Sequence, residues 1–197
     1  MLRSTRKERE MKRLRIAAAV AAVTLACTSS TVFAQDKGKT EAAKLTSASQ
    51  AALQKLSSTV PLAKELAKTA EAILVFPEIK KAGLGIGGQY GEGALLKGGS
   101  AVAYYKTTGA SFGLQAGGQK YGYAMFFMNA KALGQLDKAN GFEVGVGPSI
   151  VVVDEGMGKS TTTKTLKDDI YAFIFGQKGL MAGLGIQGNK ITKITPK

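Results

Sequence analysis

Residues 76–128 read FPEIKKAGLGIGGQYGEGALLKGGSAVAYYKTTGASFGLQAGGQKYGYAMFFM. Between Gly83 and Met128, 13 of 46 residues are glycine, yet Leu, Ile, Val, Tyr, Phe and Met fill the intervals. A disordered glycine-rich linker would lack such aromatic and β-branched residues, whose burial is favourable. The stretch therefore predicts a packed antiparallel sheet. Glycine weakens a strand unless a bulge, a bend or a close approach requires it, so we expect tight curvature, with a ligand-binding surface as the alternative.

The first 34 residues have the layout of a secretory signal. Seven basic residues precede an apolar run at 16–27, and a short polar tail follows. That run is too short to cross a bilayer, which needs about 20 residues. We predict export to the periplasm or to an outer-membrane-associated location, cleavage before Gln35, and a start at Met1 or Met11. The alternative is lipidation at Cys27, the only cysteine, whose setting partly matches the lipoprotein pattern.

The predicted mature chain, residues 35–197, is basic. It keeps 20 lysines and no arginine against 12 carboxylates, a net charge of +8. Lysine lacks the bidentate fork of arginine, so a base-reading nucleic-acid surface is disfavoured and no nucleic-acid partner is expected. Attraction to anionic membranes remains open, and a merely solvated surface is the alternative.

Residues 35–76 predict two amphipathic helices. The first carries apolar residues at helical intervals, namely Leu45, Ala48, Ala52 and Leu56. The Ser-Ser-Thr cluster before Pro61 predicts a break and a second helix, which should end by Phe76 because Pro77 follows. We expect the pair to cover a sheet. Insertion into a membrane surface is the alternative.

The remaining chain predicts short strands. We expect them at 82–89, 94–96, 100–106, 111–117 and 121–128, then a brief helix at 129–136 capped by Asn129, then strands at 142–146, 149–154, 160–166, 170–175, 179–187 and 190–194. The sequence AGLGI occurs at 82–86 and 182–186, so these segments could pair, although chance also explains the repeat. The predicted fold class is α+β: a curled, mainly antiparallel, glycine-rich β-sheet or barrel-like domain (77–197) with N-terminal amphipathic helices (35–76) packed on it.

The residues that could support catalysis are few. Gly83, Gly85 and Gly88 have the spacing of a dinucleotide fingerprint, but no helix is predicted after them. Gly158-Lys159-Ser160 resembles the end of a phosphate loop whose first glycine is missing. There is no histidine, and the only adjacent acids are Asp154-Glu155 and Asp168-Asp169. We predict no enzyme activity, catalytic residue, metal site or cofactor.

Residues from about 67 to 193 resemble a SYLF lipid-binding domain. The resemblance rests on AILVFPEIKKAGLGIGGQYGEG, GASFGLQAGGQKYGYAMFFMN, GFEVGVGPS and FGQKGLMAGLGIQG. It implies phospholipid binding, with phosphoinositides and actin as partners of eukaryotic members, and export or lipidation of bacterial ones. The chain departs from the family's frequent Trp-Ser-x-Pro block at 100–105, has Gly122-Tyr123 in place of an Asp, and has Gln187-Gly188 in place of Glu-Gly.

We therefore expect a non-enzymatic envelope protein that associates with anionic phospholipid surfaces, such as phosphatidylglycerol or cardiolipin. The expected lipid-binding residues are Lys80, Lys81, Lys97 and Lys178, supported by Lys37, Lys39 and Lys44. The alternatives are a structural or protein-interaction module that self-associates through strand edges, and a carrier of a small apolar ligand.

Overall fold

A computed structural model describes residues 29–137, 141–143, 150–153, 168–179 and 189–196. Residues 1–28 of the predicted signal peptide, with Cys27, lie outside these ranges. So do the 160–166 strand, the second AGLGI segment, Gly158-Lys159-Ser160 and Asp154-Glu155. The chain divides after Glu41 into two units. The first contains only the N-terminal part of one helix among the described residues, and the second, Ala42–Pro196, contains every other described element.

Helices α1 (Ser29–Thr59) and α2 (Pro61–Thr69) come first, and a short helix α3 (Ala130–Leu133) continues into a 3-10 turn (Gly134–Asp137). The described strands are β1 (Ala72–Lys97), β2 (Ser100–Phe127), β3 (Phe142–Glu143), β4 (Ile150–Val153), β5 (Ile170–Gly179) and β6 (Lys190–Ile194). The predicted α+β class is confirmed, and β6 begins and ends where the sequence predicts.

Strand β2 is the centre of the sheet. It pairs antiparallel with β1 along its length, with β5 at its C-terminal part and with β6 at its N-terminal part. Strand β3 adds to β6 in antiparallel pairing, whereas β4 lies parallel to β5. Among the described strands the sheet is therefore mixed but mainly antiparallel, as the sequence predicts.

The glycine-rich stretch forms one hairpin with two long strands, so the prediction of five short strands there is wrong. Strand β1 has 26 residues and β2 has 28, joined by Gly98 and Gly99, both at positive φ. Two such residues suit the tight turn that matches the twist of a hairpin. Register shifts between Phe76 and Ile79, between Leu84 and Ile86, and between Leu95 and Leu96 bend the strands without ending them.

The hairpin folds back on itself, and two glycines allow it. A Cβ at Gly91 would lie 2.8 Å from Ile79 Cγ1 and 2.9 Å from the Glu78 carbonyl oxygen. At Gly93 it would collide with the Val75 carbonyl oxygen and the Phe76 ring. The second half of β1 thus lies against the first half at a separation that excludes any side chain. The predicted curvature is confirmed, and it requires glycine where the two halves of the strand approach closely.

The helices cover one face of the sheet, called here the outer face. The buried residues of α1, α2 and the junction between them pack against the sheet residues Ile73, Val75, Phe126 and Phe173. They are Leu56, Val60, Leu62, Ala63 and Leu66. Ser49 Oγ donates to the Val75 carbonyl oxygen at 3.2 Å, and Gln50 Nε2 donates to the Gly99 carbonyl oxygen at 2.8 Å. The expected apolar position Ala48 is exposed. Ser49 takes its place because a small hydroxyl residue allows close packing while bonding the sheet backbone.

The opposite, inner face carries a second core. Leu74, Phe76, Tyr123, Met125 and Phe127 from the hairpin meet Ile170, Ala172 and Ile174 from β5. Ala132, Leu136, Phe142 and Ile191 close this core from α3, the 3-10 turn, β3 and β6. Both faces of the sheet are therefore buried over its central part.

Burial on both faces explains why the predicted end of the second helix is wrong. The prediction extends it to Phe76, but α2 ends at Thr69 and β1 begins at Ala72. In residues 72–76, Ile73 and Val75 face the outer core while Leu74 and Phe76 face the inner one. A strand buried on both faces is continuously apolar, and periodicity cannot separate it from a buried helix segment. Within the described ranges, each helix is too short or too polar to cross a membrane.

Asn129 caps α3, as predicted. Its Oδ1 accepts from the Ala132 backbone N–H at 2.8 Å, and its Nδ2 donates to Asp169 Oδ1 at 2.6 Å. We expect Asn129→Ala to lower the free energy of unfolding by about 1–2 kcal/mol, because a cap and a charge-assisted bond are both lost. Urea unfolding measures this, with Gln135→Ala in the following 3-10 turn as the control. An equal loss in both variants would show that the cap contributes nothing specific.

Candidate functional site

Three exposed lysines form a row across the sheet. Lys80 on β1 is the register partner of Lys120 on β2, and Lys120 is the register partner of Lys178 on β5. Register partners share a face, with Cβ atoms about 5 Å apart. Like charges directly opposite each other are destabilising. This lysine row is therefore a surface whose repulsion a negatively charged partner would relieve.

One carboxylate balances part of the row. Glu78 lies 3.6 Å from Lys80 Nζ and 3.2 Å from Lys120 Nζ. The side chains of Lys80 and Lys120 remain 67% and 55% exposed, so both ion pairs are solvated and weak. No carboxylate in the described part of the chain pairs with Lys178. The four side chains carry a net charge of +2 in contact with solvent.

The structure does not bring all the predicted lipid-binding lysines together. Lys97 lies at the hairpin turn, 2.5 Å from Glu71, and is not in the row. Lys44 is exposed on α1, and Lys37 and Lys39 lie in the first unit. Lys81 is only 5% exposed and faces the inner side, so it is not part of the exposed row. The reason is the pleat of β1, which sends neighbouring residues to opposite faces.

Lys120 is the member of the row that sequence reasoning missed. Its position depends on hairpin register, which residue type does not reveal. Counting outward from Gly98-Gly99 places residue 80 opposite residue 117, and the register shifts along the hairpin move the partner to Lys120. Had the turn been recognised in the sequence, the predicted partner of Lys80 would have been within three residues of Lys120.

A second group of polar residues is buried on the inner face. Tyr121 Oη donates to Gln89 Oε1 at 2.7 Å, and Gln89 Nε2 donates to Asn189 Oδ1. Gln119 lies two residues before Tyr121 and opposite Lys81. Gln119 Oε1 and Tyr123 Oη are buried, and no described residue forms a hydrogen bond with either atom. We call Lys81, Gln89, Gln119, Tyr121, Tyr123 and Asn189 the inner polar cluster.

The tyrosines of this cluster are held protonated. Burial raises the pKa of Tyr121 to about 12. Burial first, and then the neighbouring Tyr121, raise the pKa of Tyr123 far above its ordinary value. The two side chains are thus close enough to interact, and both hydroxyls remain neutral and able to donate at physiological pH.

Comparison with known families gives a match in the C-terminal part of the chain. The family Ysc84, described as Las17-binding protein actin regulator, matches residues 108–195. This segment is similar to the Ysc84 (SYLF) family. It includes most of β2, all of β3 to β6, and both Lys120 and Lys178. No curated protein matches the chain significantly.

The match confirms the predicted SYLF resemblance over these residues and supports a binding module. Residues 67–107, which the prediction also includes, precede the matched Ysc84 segment but supply β1, the strand paired to β2 throughout the hairpin. Lys80, one of the three lysines of the row, lies on that strand. In the described ranges no group of three or more acidic, His or Cys side chains could hold a metal ion.

Two tyrosines of the Ysc84 segment provide a matched pair of substitutions. Tyr121→Phe should lower the free energy of unfolding by about 1–2 kcal/mol, because the buried Gln89 Oε1 loses its donor. Tyr123→Phe should raise it by about 1 kcal/mol, because it removes a buried hydroxyl that bonds to no described residue. Thermal or urea unfolding gives both signs. Destabilisation by Tyr123→Phe would mean that its hydroxyl has a stabilising partner.

Proposed function

We propose that this protein is an exported, non-enzymatic envelope protein that associates with anionic phospholipid surfaces through the lysine row. The observation that supports the proposal is the register that aligns Lys80, Lys120 and Lys178 on one exposed face. A lysine near an anionic bilayer contributes about 1 kcal/mol, and the contribution falls within a Debye length. Three aligned lysines give a modest, salt-sensitive and reversible attraction.

The chemistry of the row favours a surface over a single bidentate ligand. Lysine ammonium groups are hydrated point charges without a fixed fork, so they match a plane of many headgroup charges. Glu78 keeps the row partly neutralised when no partner is present. Phosphatidylglycerol and cardiolipin are the anionic lipids that we propose as partners.

The experiment is co-sedimentation of the purified chain with vesicles. We compare phosphatidylcholine vesicles with vesicles that also contain about 30% phosphatidylglycerol, which gives a negative surface charge. Both are tested at low and high salt. We expect binding only to the anionic vesicles, lost as salt rises. Equal partition onto both vesicle types, or no binding at low salt, would contradict the proposal.

A protein-interaction module is the second candidate. The Ysc84 family description names Las17 binding and actin regulation for that family, and an acidic protein surface would also suit a row of lysines. Analytical ultracentrifugation with and without anionic vesicles separates the two functions. A defined oligomer that is indifferent to lipid would favour the interaction module.

A further inference from the structure

In the described part of the chain, Glu78 is the carboxylate that contacts the lysine row. Lys120 Nζ donates to both of its carboxylate oxygens at 3.2 Å, and Lys80 Nζ lies 3.6 Å from one of them. One carboxylate is thus shared by two lysines that would otherwise repel each other across the strands. Its oxygens occupy the place that the oxygens of an anionic headgroup need in order to contact the same two ammonium groups.

A β-bulge puts Glu78 on the face of the row. Phe76 and Ile79 both face the inner core and are three residues apart, but their register partners on β2 are only two residues apart. In a regular strand, residue 78 would share the face of Phe76. The extra residue of β1 reverses the alternation, so Glu78 shares the face of Lys80. Bulges re-aim side chains in this way, and Pro77, which has no N–H for a ladder bond, suits such a position.

The side chain of Glu78 is held weakly, whereas its backbone is closely packed. The side chain is 45% exposed, and ion pairs between such solvated groups contribute little. By contrast, a Cβ on Gly91 would lie only 2.9 Å from the Glu78 carbonyl oxygen. The carboxylate can therefore turn away from the row without any change in the strand that carries it.

We propose that Glu78 is an internal counter-ion that an anionic surface must displace, and that it restricts the lysine row to surfaces with a high density of negative charge. This inference rests on the proposed function. A sparsely charged surface offers the row little more than the carboxylate that it already has. A dense surface surrounds all three lysines with charge, including Lys178, with which no described carboxylate pairs, and so competes successfully with Glu78. Glu78 thus determines which surface is bound.

The test is co-sedimentation of the purified chain and its Glu78→Gln variant with vesicles that range from pure phosphatidylcholine to pure phosphatidylglycerol. Glu78→Gln should raise partition onto anionic vesicles about twentyfold and reach half-maximal binding at a lower phosphatidylglycerol content. About fivefold of this gain comes from the loss of one negative charge near the surface, and the rest comes from the release of two exposed ion pairs. Partition onto neutral vesicles should not change.

Glu65→Gln is the matched control, because Glu65 is also exposed and paired with a lysine, Lys68, but lies on α2 outside the row. It removes the same charge and should raise partition less than about twofold. In the variant Lys80→Gln/Lys120→Gln, adding Glu78→Gln should give only the gain of about fivefold that one charge contributes. Equal gains from Glu78→Gln and Glu65→Gln, or an undiminished gain in the lysine variant, would overturn the proposal.

Thermal unfolding separates this inference from the proposed function. Glu78→Gln should lower Tm by about 2 °C at low salt, because repulsion within the row is no longer offset, and high salt should remove the difference. An unchanged Tm at low salt would overturn the counter-ion role of Glu78 even if the chain binds vesicles. A lowered Tm without binding of either protein to any vesicle would instead overturn the proposed function, and with it the selection of a surface by Glu78.

Discussion

Gly93→Ala should lower the free energy of unfolding by about 3 kcal/mol. Its Cβ would collide with the Val75 carbonyl oxygen and lie 2.8 Å from Phe76 Cδ1. A flexible side chain could move away, but a carbonyl oxygen inside a paired strand cannot move without breaking the β1–β2 ladder. The two halves of β1 must separate, and the inner core around Phe76 and Tyr123 then loses close packing.

Gly88→Ala is the matched control on the same strand. Its Cβ would meet nothing nearer than the Gly109 carbonyl oxygen at 3.9 Å, an ordinary contact. We expect a change within about 0.5 kcal/mol, as at other exposed sites. Urea unfolding followed by circular dichroism measures both variants. Similar stability in the two proteins would mean that β1 does not fold back as closely as described.

Replacing Lys80, Lys120 and Lys178 together with glutamine should weaken partition onto anionic vesicles about 100-fold. Each lysine contributes about 1 kcal/mol near such a surface, and 1.4 kcal/mol corresponds to a factor of ten. All three side chains are exposed, so the fold should persist and the circular dichroism spectrum should not change. Relief of repulsion across the strands should even stabilise the sheet slightly.

The control removes the same total charge elsewhere. Lys55 on α1, Lys64 on α2 and Lys131 on α3 are exposed and lie outside the row. Their replacement with glutamine changes net charge by the same amount, and we expect only about a threefold loss of partition from the weaker long-range field. Equal losses of partition in the two triple variants would mean that net charge alone attracts the protein to the membrane and that the row has no specific role.

Some features follow from local chemistry and were predictable. Asn129 caps the helix that follows it, because a side-chain oxygen in that position satisfies an otherwise free N–H. Curvature of the glycine-rich stretch was predictable too, because so many glycines among apolar residues have few other uses. The SYLF resemblance at 108–195 depended on short motifs that survive in the linear order of residues.

Other features depend on partners that are distant in sequence. Lys80 and Lys81 are indistinguishable as sequence, yet the pleat exposes one and buries the other. Ile73 and Leu74 looked helical because burial on both sides of a strand erases the alternation that marks strands. In the sequence, Gly91 and Gly93 look like any other strand glycines. Only the folded hairpin shows that they lie against residues 75–79, where a side chain does not fit.

The sequence by itself determined the α+β class, the glycine-driven curvature, the absence of histidine and the lysine excess, since these depend on composition and on neighbours along the chain. Only the tertiary structure decided that Lys80, Lys120 and Lys178 form one row and that Lys81 faces inward with Gln119. The physical reason is register: the pairing of strands distant in sequence determines which side chains share a face, and bulges shift that pairing by amounts that residue types do not encode.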